Sequence, residues 1–180
     1  MITDMDITIE LIKLILASLN SFVRDDKILL DRMVSERALC GALMLKIQAN
    51  LQKTAFAGDH VDVEFNKSMQ LKGKEYIYDL KRLPNGKYIS TDIIVHGRGM
   101  GAEPDNLIAI EMKKKTNGEN EYEVKRAADI QRLKYLTDPN YMYQYLLGVF
   151  VEIDFTDSKI GLKLFKCGEE LDMNIERIQF

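Results

Sequence analysis

The sequence predicts an α/β protein with a mixed central sheet flanked by helices. Three observations lead there. Apolar residues recur at helical spacing in two segments before residue 52 and in one after residue 120. Strand-like runs with period-two alternation lie between those helices. The run Tyr145 to Ile153 is nearly continuously apolar, as strands buried on both faces are.

The first helix is expected over Asp6 to Phe22, where Ile9, Ile12, Leu16 and Leu19 fall on one stripe and Asp4 or Asp6 suits the start. A second is expected from Asp31 or Ser35 to Leu51, with Cys40, Leu43, Ile47 and Leu51 at steps of three and four. Val61 to Phe65 alternates apolar and acidic residues and reads as a half-buried strand. Tyr76 to Leu83 and Lys87 to Val95 read as a hairpin around Pro84, Asn85 and Gly86, residues suited to a tight turn. Leu107 to Met112 is a strand ending in the basic run Lys113 to Lys115. A helix over Glu121 to Leu136 is expected to show Val124, Ala128, Leu133 and Leu136 on its apolar face and a Lys125–Asp129 pair, and Asp138-Pro139-Asn140 ends it. Tyr145 to Ile153 and Ile160 to Phe165 are expected to pair antiparallel across a turn at Thr156 to Ser158, with a short strand near Asn174 to Ile178.

At 180 residues the chain suits one domain, residues 1–180, and one core. Its 46% hydrophobic and 29% charged residues exclude the low-hydrophobicity, high-charge composition of disordered chains. Ile9 to Phe22 is interrupted by Glu10, Lys13 and Asn20 and falls short of the ~20 apolar residues of a membrane span. No signal-peptide pattern is read at the start, and Cys40 and Cys167 lack zinc-type or redox-type spacing; both points lead us to expect a cytoplasmic protein. A net charge of −3 means that nucleic-acid binding would need a local basic surface. Lys113, Lys114 and Lys115, followed by Lys125, Arg126, Arg132 and Lys134, are the candidates, though a solvated basic face is the common meaning of such a run.

Strand alternation places Asp92, Ile94 and His96 on one face, and Glu111 with Lys113 on the face opposite Met112. If these strands are neighbours, two carboxylates and a lysine converge. Hard oxygen donors suit magnesium or manganese, and an adjacent lysine can steady a phosphate or an attacking water, which is the chemistry of metal-assisted phosphodiester hydrolysis. Extending the apolar stripe of the second helix back from Cys40 reaches Glu36. That carboxylate points either to the edge of the core, where it needs a partner, or simply sits in a first helical turn that favours acidic residues.

TDIIVH and IAIEMK, in this order, resemble the PD-(D/E)XK or restriction-endonuclease-like nuclease superfamily, and small bacterial members of it in particular. Five blocks carry the resemblance: SERAL with Glu36, VDVEFNK with Glu64, TDIIVH with Asp92, IAIEMK with Glu111 and Lys113, and DIQRL with Asp129 and Arg132. It implies a restriction-endonuclease-like αβββαβ core preceded by an extra N-terminal helix. It implies that Asp92 and Glu111 bind Mg2+, with Mn2+ as substitute, that Lys113 is the catalytic lysine, and that Glu36 completes the metal shell directly or through water. Thr91 stands where the family usually has proline, and Arg132 where it usually has lysine.

HGRGMG, residues 96–101, is followed by Pro104 and a strand, so it is not a phosphate-binding loop ahead of a helix; Arg98 within it is a candidate DNA contact. With two histidines and no nucleophile elbow, a hydrolase triad is not supported. His96 is read as a structural residue at a strand end, and Glu64 as either a solvated strand residue or part of the site. The expected function is therefore a Mg2+-dependent nuclease acting on DNA ahead of RNA, with Arg98, Lys114, Lys115, Arg126 and Arg132 contacting nucleic acid. No membrane partner is expected. A homodimer or a partner subunit is left open, and the rivals are a catalytically silent binding or assembly module of the same fold and a nuclease subunit that needs a partner for specificity.

Overall fold

The computed structural model describes residues 4–72, 75–98, 104–115, 120–173 and 175–180. Three helices open the chain: α1 (Asp4–Asp25), the single turn α2 (Lys27–Asp31) and α3 (Glu36–Leu51). Strands β1 (His60–Phe65), β2 (Lys67–Lys72), β3 (Glu75–Leu80), β4 (Thr91–His96) and β5 (Asn106–Lys115) follow. Helix α4 (Asn120–Thr137) then leads to β6 (Leu147–Asp154), β7 (Lys159–Lys166), β8 (Glu169–Glu170) and β9 (Ile178–Gln179). Seven strands form a mixed sheet in the order β1-β4-β5-β6-β7-β8, with β9 also on β7, while β2 and β3 form a separate ribbon.

Among the described residues only β5 and β6 pair in parallel, because α4 carries the chain back across the sheet between them. Alternation decides which face each residue covers. Ile93, Val95, Ile108, Ile110, Met112, Val149 and Val151 pack with α1 and α3. Ile94, Ala109, Phe150 and Phe165 pack with Leu133 and Leu136 of α4. Helix α1 supplies the deepest apolar side chains on its face, Leu11, Ile15, Leu19 and Phe22. Ser35 starts α3 by accepting the Ala38 N–H at 3.3 Å, leaving Glu36 in the first turn. At Gly148 an added Cβ would lie 3.1 Å from Thr137 and 3.2 Å from Phe165, so α4 seats closely on β6 with little room for a side chain there. No helix among the described residues is long and apolar enough to cross a membrane.

The hairpin expected between Tyr76 to Leu83 and Lys87 to Val95 survives only as its turn. Arg82 bridges Tyr88, and Leu83 N–H donates to Lys87 O at 2.8 Å. Beyond that, β3 pairs with β2, which sequence reading passed over, and β4 lies between β1 and β5. The cause is burial: Ile93, Ile94 and Val95 are all fully buried, and a strand covered on both faces belongs in the middle of a sheet. The strand expected near Asn174 to Ile178 is observed as Ile178–Gln179, with Asn174 outside the described residues.

One buried charge sits beneath this turn. Lys81 is 2% exposed; its Nζ donates to Tyr145 Oη at 2.5 Å and lies over the Phe65 and Tyr145 rings. Burial pushes the ammonium down to about 8, against the charge of Asp105. Nearby, His96 pairs with Asp62, and Arg98 meets the same carboxylate. In an unfolded chain Lys81 keeps its proton to higher pH than in the folded one, so stability rises with pH above 8. Unfolding in urea at about pH 7.5 and about pH 9 is expected to show a gain of about 1 kcal/mol from this group. Lys81→Met is expected to flatten that rise; an unchanged rise in the variant would assign it to another group.

Candidate active site

The β4–β5 ladder runs from His96↔Asn106 to Ile93↔Ile110 and stops there. Past that point one edge of β5 has no neighbouring strand in the ladder, yet its N–H groups are satisfied. Met112 N–H donates to Asp92 Oδ2 at 2.8 Å, and Lys114 N–H donates to Glu36 Oε2 at 3.0 Å. Residues 112 and 114 are two apart and so direct their N–H groups to the same edge. Two carboxylates, one from β4 and one from the first turn of α3, take the place of a strand.

The Glu36 side chain is thus turned onto β5 at the edge of the core, while its backbone stands in the first turn of α3. Its Oε1 also lies 3.3 Å from Lys113 Nζ, and Asp129 Oδ2 lies 3.1 Å from the same nitrogen on the α4 side. Asp129 in turn pairs with Arg132, whose guanidinium forks onto Glu111, Nε to Oε1 at 2.6 Å and Nη2 to Oε2 at 3.3 Å. Glu111 is 1% exposed. The strand alternation that set Glu111 and Lys113 opposite Met112 therefore holds.

Electrostatics follow from this crowding. Burial raises the Glu111 carboxyl well above the ordinary range and the Asp92 charge adds to it, while Arg132 pulls the other way. Burial also raises Asp92; the Met112 N–H opposes it and Glu36 reinforces it. Lys113 is lowered by burial, but Asp129 and Glu36 outweigh this and its ammonium titrates above an ordinary lysine. Beneath them the Cys40 thiol, 3.7 Å from Met112 Sδ, is pushed far up by burial and by Asp92, Glu36 and Glu111, so it is no nucleophile.

Four carboxyl groups and two cations meet here, so acidic groups outnumber basic ones by two. That excess and the all-oxygen donor set of Asp92, Glu111 and Glu36 suit a hard divalent cation. As the side chains stand, Arg132 engages both oxygens of Glu111, and no group of three or more His, Cys, Asp or Glu among the described residues is arranged to hold a metal.

The basic residues do not gather on one surface. Arg132 lies inside, on Glu111 and Asp129. Arg98 forks onto Asp62 at 2.8 and 2.5 Å beside His96, at the other end of β4. Lys114 Nζ donates to Met33 O and Val34 O, on the α3 side. Lys115 pairs with Asp154 at 2.7 Å, and Arg126 with Glu152 at 2.9 Å. Residues 99–101 of the glycine-rich segment lie outside the described residues.

Sequence reading missed the inward role of Asp129. The expected Lys125–Asp129 pair is replaced by Lys125–Glu121, and Val124, expected on the apolar face, is exposed. The signal was present: Tyr122, Asp129, Leu133 and Leu136 form the buried stripe of α4, with a carboxylate in it. No known family, curated protein or solved structure matches this chain in comparison, so the nuclease resemblance rests on its five sequence blocks.

Asp129→Ala leaves two half-buried cations short of a partner and is expected to cost about 2 kcal/mol in urea unfolding at neutral pH. Lys125→Ala, on the exposed side of the same helix, is expected to leave the midpoint unchanged. Equal effects of the two would show that the inward network adds nothing to stability.

Proposed function

We propose that this protein is a metal-dependent nuclease with a restriction-endonuclease-like core, hydrolysing phosphodiester bonds in DNA ahead of RNA. The observation that carries this reading is the meeting of Asp92, Glu111, Lys113 and Glu36 at the point where β5 parts from β4. Asp92, Glu111 and Glu36 would hold Mg2+, with Mn2+ as a substitute. Bound there, the cation supplies Lewis-acid polarisation of a phosphate and activation of water.

The chain's own residues divide the remaining work. Lys113, held charged between Glu36 and Asp129, orients the attacking water or a phosphate oxygen and stabilises the charge that builds on the phosphate. Arg132 fixes the rotamer of Glu111 through its fork and leaves that carboxylate two further lone-pair directions. The buried floor of Cys40 and Met112 keeps water from beneath the carboxylates and strengthens every interaction above it.

A second reading has one observation in its favour. The Arg132 fork occupies Glu111, and a nuclease-fold module retained for binding or assembly would keep that ion pair permanently. The two readings part in a cleavage assay with Mg2+ on single-stranded DNA, duplex DNA and RNA. The nuclease reading expects cleavage that is lost with chelator and reduced on the order of 10²-fold or more in Lys113→Ala. Asp92→Asn and Glu111→Gln are each expected to abolish Mn2+ binding in calorimetry while the fold persists. Wild-type protein that neither binds Mn2+ nor cleaves any of the three substrates would leave the silent module, or a subunit that requires its partner, as the function.

A further inference from the structure

Beside Asp92 a cleft of about 530 Å³ opens between the start of α3 and the free edge of β1. Glu36 and Asp92 form its acidic end, Cys40, Gly41 and Val63 its wall, and Arg37 with Glu64 its mouth. Three features of this cleft are unexplained by folding. Gly41 lies inside a 16-residue helix, where glycine is unfavourable, yet a Cβ placed on it would meet nothing within 4 Å. Packing does not demand glycine there; its effect is to widen the cleft. Glu64 has φ +50°, a left-handed conformation that a non-glycine residue rarely adopts inside a strand. Val63 is 42% exposed, an apolar side chain left on the cleft wall.

Across the mouth, Arg37 Nη2 lies 2.7 Å and Nε 2.9 Å from Glu64 Oε1. With 82% of its side chain exposed, Arg37 is held by a pair that exchanges readily with another anion. The cleft thus brings together a carboxylate pair suited to a divalent cation, apolar lining with room beside it, and an exposed guanidinium. A nucleotide presents the matching set of groups, a phosphate for cation and guanidinium and a flat base able to lie on an apolar wall.

Resting on the nuclease reading, we propose that this cleft binds the nucleotide adjoining the scissile phosphate, with Arg37 taking a phosphate in exchange for Glu64 and Gly41 leaving space for the nucleotide. Strain at Glu64 then has a use: the left-handed turn sets its carboxylate at the cleft mouth, where it holds Arg37 ready and yields to a stronger anion. The assignment predicts that Gly41 is needed for binding and not for stability.

The test is fluorescence anisotropy of labelled DNA oligonucleotides, single-stranded and duplex, with Ca2+ in place of Mg2+ to suppress cleavage. Arg37→Ala is expected to weaken binding on the order of ten-fold and to lower the salt slope by about one. Gly41→Leu is expected to weaken binding at least as much while its urea midpoint stays at or above that of wild type. Glu64→Gln is expected to tighten binding several-fold. If wild type binds or cleaves DNA while Arg37→Ala and Gly41→Leu bind as wild type does, the cleft assignment is wrong and the nuclease reading stands. If wild type neither binds nor cleaves, the nuclease reading fails and the assignment falls with it. Arg37 is a surface residue, so its variant keeps the test valid even where Gly41→Leu perturbs α3.

Discussion

Strand β5 runs on past the end of its pairing with β4, and the rest of the site depends on how that bare edge is satisfied. A buried N–H without an acceptor costs about 1–3 kcal/mol, so the groups at Met112 and Lys114 must be met. Carboxylates meet them, from Asp92 and Glu36. This arrangement draws acidic side chains into a place where acidic side chains are otherwise costly, and it ties the start of α3 to the sheet. The same two hydrogen bonds that finish the fold therefore assemble the donors of the site.

Placing charge there forces further choices. Glu111 is too deep to stay ionised alone, and Arg132 reaches it with two donors in one plane. A lysine in that position, as the family resemblance would have, offers a single point charge and could not hold both oxygens in a fixed orientation. Arg132 is thus suited to clamping the carboxylate, and its contact with Asp129 lets one buried acid orient both cations of the network. The departure from lysine to arginine reads here as a stiffer support for Glu111.

How much of this was legible in the sequence depends on the range of the interaction. Strand alternation is local, and it correctly set Glu111 and Lys113 opposite Met112. Helical periodicity is equally local, and it put Glu36 in line with Cys40, Leu43 and Ile47, although only the sheet could say what Glu36 touches. Strand pairing is not local: Lys87 to Val95 looked like the return arm of a hairpin because a good turn precedes it, while the full burial of Ile93 to Val95 called for neighbours on both sides. The basic run failed for a related reason. Spacing shows that Lys114, Lys115, Arg126 and Arg132 are near in sequence, but not that an acidic partner from another element meets three of them and that backbone carbonyls meet Lys114. Asp129 was read as the surface partner of Lys125 because the apolar stripe of α4 was drawn through Val124 and Ala128 and not through Tyr122 and Asp129.

Two departures from local rules line the same cleft, the left-handed Glu64 within β1 and Gly41 within α3. A left-handed non-glycine residue costs of order 1–3 kcal/mol, and a mid-helix glycine roughly 1 kcal/mol relative to alanine. Against a net stability of about 5–15 kcal/mol for a domain, that is not a trivial fraction. Folding alone would replace Gly41 with alanine, since the space for a Cβ is open, and would let Glu64 continue as regular strand. Both departures instead shape the ground beside Asp92. Glu36 and Asp92 belong to the cleft and to the β5 edge alike, so anything seated in the cleft touches the carboxylates that close the sheet. On the nuclease reading, a cation held by Asp92 and Glu36 would lower their mutual repulsion and steady the β5 edge, and an anionic ligand at the mouth would gain from that cation in turn.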